Sequence, residues 1–166
     1  MPNPNWEVLI SKPAELADPL LEQFIRLVGG GGGVDPYGLA GRVARAHLLL
    51  VIPEGERLAA AAAIKNQPEN YRLGHFTKAG VPELAPDYQF ELGWIAVDPA
   101  YQGQRCVRPL VKRALQVVGE VGLYATTRSE KIRRVLGDYD FLLAGNPYGS
   151  EIEQDAKLTL HVRAAG

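Results

Sequence analysis

Gln102-Gly103-Gln104-Arg105-Cys106-Val107-Arg108 is the stretch whose residue types and position point most directly to chemistry. It separates an apolar run, Phe90 to Val97, from a segment with helical periodicity: Val107, Leu110, Val111, Ala114, Val117 and Val118. A tight loop that opens a helix presents backbone N–H groups with no intrahelical partner, at the positive end of the helix dipole. Such a loop is an anion site. With Arg105 in it and Arg108 just inside the helix, a phosphate or pyrophosphate is its natural guest. Many βα units share this local pattern and bind nothing, so the loop alone leaves both readings open.

The other reactive side chains form no comparable constellation. His47, His75 and His161 are isolated and lack metal-ligand spacing with one another or with Cys106, so no metal site is expected. His47 and His161 begin or lie within apolar strand-like runs and read as structural histidines. Cys106 sits where a helix N-terminus would lower a thiol pKa. Nothing in the sequence supplies it with a base, so packing is the expected role. Lys131, Arg133 and Arg134 suit a phosphate or a solvated helix face.

These residues are positioned by alternating strand and helix signals. Phe90 to Val97 is rich in aromatic and β-branched residues and is stopped by Asp98-Pro99. Pro109 is tolerated only in a first turn, so the following helix begins near Arg105 to Val107, and Gly119 and Gly122 close it. Val121 to Thr127 then reads as a second central strand, with the spacing of a βαβ unit. Arg128 to Leu136 reads as a short basic helix. Phe141 to Ala144 and Lys157 to Val162 read as a terminal strand pair joined by Gly145 to Asp155.

Upstream, Met1 to Asn5 reads as a loose leader and Trp6 to Ile10 as a short first strand. Ala14 to Val28 has helical periodicity, with Pro19 predicting a kink or a late start near Asp18. The five glycines Gly29 to Gly33 break the chain, as a surface connector or as a mobile gate over a pocket. Val34 to Arg45 reads as a short helix or irregular turn, and His47 to Ile52 as a buried strand turned back by Pro53-Glu54-Gly55-Glu56. Leu58 to Lys65 contains five alanines that favour helix by propensity. Its short connection and length favour the return arm of a hairpin. Asn66 to Tyr88 has many turn formers and little periodicity, and is expected to be mostly loop.

Bulk properties bound the function. A chain of 166 residues, 46% hydrophobic and 22% charged, is expected to fold as one soluble globular domain spanning residues 1–166. A net charge of -1 gives no global field directed at nucleic acid or membrane. A single cysteine excludes an internal disulfide framework and fits a reducing compartment. No apolar run reaches membrane-spanning length and no signal-peptide core is present, so a cytoplasmic location is expected.

Val97-Asp98-Pro99-Ala100-Tyr101-Gln102-Gly103-Gln104-Arg105-Cys106-Val107 resembles the acetyl-CoA motif of the GNAT superfamily of acyltransferases. That motif ends the fourth strand with V-x-P-x-(Y/H) and opens a helix with (R/Q)-x-x-G-x-(G/A). Gln102 matches the first polar position; Arg105 and Val107 replace the two small residues. Downstream, Ser129 falls on the family's Asn, Ile132 on its Ala and Phe141 on its closing Phe. Leu136 falls on the Tyr that often protonates the departing thiolate. The resemblance covers roughly residues 45 to 163.

The resemblance implies a GNAT-like α/β (α+β) fold, with a mixed, mostly antiparallel sheet flanked by helices. Its parallel pair would be Phe90–Val97 and Leu123–Thr127, split into a V that opens at Val97. It implies an acetyl-CoA-dependent N-acetyltransferase acting by direct transfer to a primary amine of a small molecule or protein, with no metal. The alternative is an inactive GNAT-fold module that binds CoA, another ligand or a partner protein. Cofactor contacts would fall on Ile95, Ala96, Val97, Gln102, Gly103, Gln104, Arg105, Cys106, Val107, Arg108 and Ser129. Strand N–H groups near Ile95 to Val97 would stabilise the developing oxyanion. Glu91, where the fourth strand begins, would serve as the base that frees the amine, or be a strand-end charge. Tyr139, Tyr148 and Tyr101 are candidate proton donors. Glu151, Glu153 and Asp155, in the loop between the last two strands, would favour a cationic acceptor. No nucleic-acid or membrane partner is expected, and a homodimer is compatible with the fold.

Overall fold

The computed structural model describes residues 5–31, 33–153 and 155–165. The expected leader, apart from Asn5, and Gly32 of the glycine run lie outside them. The strands are β1 (Leu9–Ser11), β2 (Leu48–Glu54), β3 (Arg57–Lys65), β4 (Phe90–Val97), β5 (Leu123–Thr127), β6 (Leu142–Gly149) and β7 (Lys157–Arg163). The helices are α1 (Asp18–Gly29), α2 (Leu39–Ala44), α3 (Glu69–Ala79), α4 (Val107–Val118) and α5 (Glu130–Asp138). The strands form one sheet in the order β1-β2-β3-β4-β5-β7-β6. Every neighbouring pair is antiparallel except β4 and β5, which are parallel. The expected mixed, mostly antiparallel α/β architecture is therefore the one observed.

The alanines of β3 explain how both faces of the sheet are covered. Side chains alternate across a strand. Ala60 and Ala62 face the core shared with Leu110, Val111 and Ala114 of α4. Ala61 and Ala63 face the core shared with Phe24 and Val28 of α1 and Val43 of α2. All four are fully buried. Small side chains on both faces let helices approach the middle of the sheet, and strand pairing overrides the helix propensity of the run. Helix α1 starts at Asp18 with Pro19 in its first turn, the late start that the proline predicts.

Two expectations fail. The first strand is Leu9–Ser11 and not Trp6 to Ile10. The segment after β3 is not mostly loop: it holds α3 and a 3-10 segment, Pro82–Asp87. Helix α3 has only a weak apolar stripe, burying Phe76 and Ala79, so little periodicity marks it in the sequence. Tertiary packing stabilises it instead. Phe76 stacks on Tyr88 at 6.0 Å and meets Tyr124 edge-on at 5.4 Å. Gly145, at φ +68°, lies directly beneath the end of α3, where an added Cβ would overlap the Ala79 carbonyl. Strand β6 also runs beyond the expected Ala144, through an irregularity between Ala144 and Tyr148 that carries Tyr148 towards α3.

Candidate active site

The site begins where the two central strands part. The β4–β5 pairing is confined to Phe90↔Leu123 and Glu91↔Tyr124. Beyond Glu91, β4 continues pairing with β3 as far as Ala60↔Val97, so its other edge is left facing a cleft. The β3–β4 register slips between Ala63↔Gly93 and Ala61↔Ala96, which places Trp94 and Ile95 opposite the single residue Ala62. Trp94 takes φ +52° at this bulge. A bulky L-residue in the left-handed region is strained, and such strain persists where surrounding packing enforces it. Phe24 of α1 supplies that packing, meeting the Trp94 ring edge-on at 6.3 Å. The bulge thus bends β4 away from β5 and opens a cleft of about 1160 Å³.

The loop from Gln102 to Arg108 closes one end of this cleft. Asp98 accepts from the Ala100 amide at 2.8 Å and starts a single 3-10 turn, Pro99–Tyr101. The Gln102 side chain donates to the Val97 carbonyl at 3.0 Å, tying the loop to the end of β4. Trp6 Nε1 donates to the Gln104 carbonyl at 2.9 Å, and its ring meets Tyr101 edge-on at 5.9 Å. Gly103 and Arg105 take φ +80° and +61°. Arg105 therefore adopts the left-handed conformation that glycine adopts freely, and the turn that glycine would make is kept without it. A groove of about 260 Å³ lies over the loop, lined among others by Gly103, Arg105, Val107 and Lys131.

The opposite end of the cleft is built by β3, β4, α3 and β6. Glu91 is 3% exposed, and its Oε1 accepts from Lys65 Nζ at 3.1 Å and Gln67 Nε2 at 3.2 Å. Lys65 Nζ also lies 4.4 Å from the centre of the Trp94 ring. A Cβ at Gly93 would come within 3.1 Å of Lys65 Cδ, so the absent side chain leaves room for the ion pair. His75 Nδ1 lies 2.7 Å from Tyr148 Oη, and Tyr71 packs against His75 with ring centres 4.8 Å apart. Burial pushes the His75 pKa down, a trend that the nearby Glu91 opposes. Burial, reinforced by Glu91, pushes the Tyr148 and Tyr71 hydroxyls far up, so both stay protonated at neutral pH.

Comparison with known proteins begins with a negative result: no family model and no curated protein sequence matches the chain. Solved structures do match. An acyl-CoA N-acyltransferase from Pseudomonas aeruginosa superposes with a TM-score of 0.71 at 18% identity, over 96% of this chain and 100% of that one. Escherichia coli ElaA gives 0.69 at 14% identity, over 95% and 99%. A putative acetyltransferase, yncA from Salmonella typhimurium, solved with its cofactor acetyl-CoA, gives 0.60 at 18% identity, over 96% and 94%. This chain has the GNAT fold. Other matching structures are described as a putative acetyltransferase of the GNAT family from Desulfovibrio desulfuricans and an acetyltransferase of the GNAT family from Streptococcus pneumoniae.

Within the GNAT fold, the residues singled out in the sequence divide into three groups. Ile95, Ala96, Val97, Gln102, Val107 and Ser129 line the large cleft together with Glu91. Gly103, Arg105, Cys106, Val107 and Arg108 line the groove over the loop, while the side chain of Gln104 turns back to the Ala100 carbonyl. Three side chains are engaged elsewhere. Cys106 is 2% exposed, and burial, with Glu54 adding to it, pushes its thiol pKa up rather than down as expected. Arg108 pairs with Asp138 of α5 at 2.6 Å. Ser129 caps α5, accepting from the Ile132 amide at 3.3 Å.

The expected acidic mouth is largely neutralised. Glu151 pairs with Lys78, and Glu153 pairs with Arg128 at 2.9 Å. Leu136 is fully buried in the core beneath α5. His161, expected to be structural, is buried beside Thr159, its Nε2 2.8 Å from the hydroxyl oxygen. Sequence reading missed Lys65 and, having set His75 aside as isolated, missed the pair Tyr71 and His75. The last two lie on α3, which carried no periodic signal, and Lys65 gains meaning only through its cross-strand partner Glu91.

Proposed function

We propose that the chain is an acetyl-CoA-dependent N-acetyltransferase acting on a primary amine of a small molecule or protein. The observation that carries this reading is a single cleft lined from Gln102 and Val107, past the unpaired edge of β4, to the polar cluster around Glu91. The amides opening α4 and the left-handed turn at Arg105 would hold the pyrophosphate, with Lys131 and Arg105 supplying positive charge. Backbone N–H groups of β4 between Ile95 and Val97 would stabilise negative charge on a carbonyl oxygen in the split. When bound, acetyl-CoA supplies an activated acyl group. The protein supplies alignment, oxyanion donors and a place for the acceptor's proton.

A second reading, a GNAT-fold module without turnover, is favoured by Leu136: a buried leucine cannot protonate a thiolate. The two readings separate in a simple experiment. Thermal stability is measured with CoA and acetyl-CoA, followed by thiol release in the presence of a panel of amines. Stabilisation together with thiol release supports the enzyme. Stabilisation without thiol release from any amine supports the binding module, and neither response would refute both.

A further inference from the structure

We propose that His75, held by Tyr148, is the group that takes the proton from the acceptor amine; this rests on the N-acetyltransferase reading above. Three groups at the acceptor end of the cleft compete for the role. Glu91 is the residue first expected, but its Oε1 is shared by Lys65 and Gln67 and almost none of it is exposed. Tyr71 and Tyr148 are protonated at neutral pH, which leaves them as donors. His75 lines the cleft, is only partly buried, and has one ring nitrogen engaged. His75 Nδ1 lies 2.7 Å from Tyr148 Oη, and in the tautomer assigned here Nδ1–H donates to that oxygen and Nε2 keeps its lone pair. The bond to Tyr148 and the packing of Tyr71 hold the ring on α3. The charged groups facing it are Glu91 on β4, Lys65 on β3, Lys78 on its own helix and Glu151 after β6. They are paired Lys65 with Glu91 and Lys78 with Glu151, so burial dominates and the imidazole is neutral at pH 7.

The step balances. The amine nitrogen forms the new N–C bond, and the thioester C–S bond breaks with its electron pair leaving on sulfur. The proton shed by nitrogen passes to Nε2 of His75, and from there to the thiolate or to water. Tyr148 is a positioning residue in this scheme, because it acts through the histidine.

The test uses the full chain with acetyl-CoA and a panel of primary amines (ethanolamine, spermidine and a peptide with a free N-terminus), following thiol release against pH. For the fastest amine, wild-type kcat should be flat from an acid limb below pH 6.5 up to the amine's own pKa. His75→Gln should lower kcat at pH 7 by about 100-fold or more. Its kcat should then climb about tenfold per pH unit, because only the free amine reacts. Retention of the acetyl-CoA thermal shift in His75→Gln shows that the variant is folded. Tyr148→Phe should move the acid limb to lower pH, since the imidazolium loses an acceptor, and a packing role would not shift it. Wild-type turnover with an unchanged profile in His75→Gln would overturn this proposal alone. No thiol release by the wild type with any amine would overturn the enzyme reading and this proposal with it.

Discussion

Replacing Arg105 tests the anion loop at its most unusual residue. Arg105 is exposed and sits at φ +61°. The left-handed region costs an L-residue about 1–2 kcal/mol. Glycine removes that cost but gives back about 0.4–1 kcal/mol through the greater entropy of the unfolded chain. Arg105→Gly should therefore stabilise the fold by about 0.5–1 kcal/mol, a rise in Tm of about 1–4 °C for a chain of this size. Arg105→Ala is the control, since it removes the guanidinium and keeps the Cβ. Urea unfolding of the three proteins isolates the backbone contribution as the difference between the glycine and alanine variants. An alanine variant as stable as the glycine variant would show that residue 105 does not hold the left-handed turn. In acetyl-CoA titrations, Arg105→Glu should abolish binding while leaving the fold intact. Unchanged affinity there would remove the loop from the site.

Three further predictions follow from the packing. Gly145→Ala combines the left-handed penalty with overlap of the Ala79 carbonyl, so it should cost about 2–4 kcal/mol in urea unfolding and loosen α3 in hydrogen exchange; a loss under 0.5 kcal/mol would contradict the contact. Lys65→Met leaves the buried Glu91 carboxylate without its ammonium and should destabilise by about 3–5 kcal/mol, with Lys65→Met combined with Glu91→Gln recovering most of the loss; additive losses would contradict the pairing. His161 and His75 both have folded-state pKa values below the ordinary 6.5, so the unfolded chain binds more protons in that range. Stability from this source is complete above about pH 6.5 and declines as pH falls below it, by at most about 1.4 kcal/mol per pH unit for the buried His161; a urea midpoint that rises on acidification from pH 6.5 to 5.5 would contradict it.

Much of the fold was legible because its signals are local. The bounds of β4, its stop at Asp98-Pro99 and the start of α4 next to Pro109 follow from residue types within a few positions. The Arg105 position shows the limit of reading a motif by identity. An arginine in place of glycine predicts a poorer turn, yet the turn is kept at the cost of strain, because tethers such as Gln102 to Val97 and Trp6 to Gln104 hold the loop from outside. The Glu91–His75 end of the cleft was the least legible. Its residues come from β3, β4, α3 and β6; the strand register brings Lys65 to Glu91, and the packing of α3 against β6 brings His75 to Tyr148. The carboxylates after β6 read as an acidic mouth in one dimension. In three dimensions Lys78 and Arg128 meet two of them.

The central claim is that one cleft holds an acyl-CoA thioester at its loop end and an amine at its Glu91–His75 end. Its most direct test is incubation of the wild-type chain with acetyl-CoA and the amine panel, measuring free thiol and acetylated amine in the same sample by mass spectrometry. The account predicts equimolar CoA and N-acetyl product from at least one primary amine, with neither formed by a heat-denatured control. Acetyl-CoA that neither stabilises the protein nor yields an acetylated amine would contradict it.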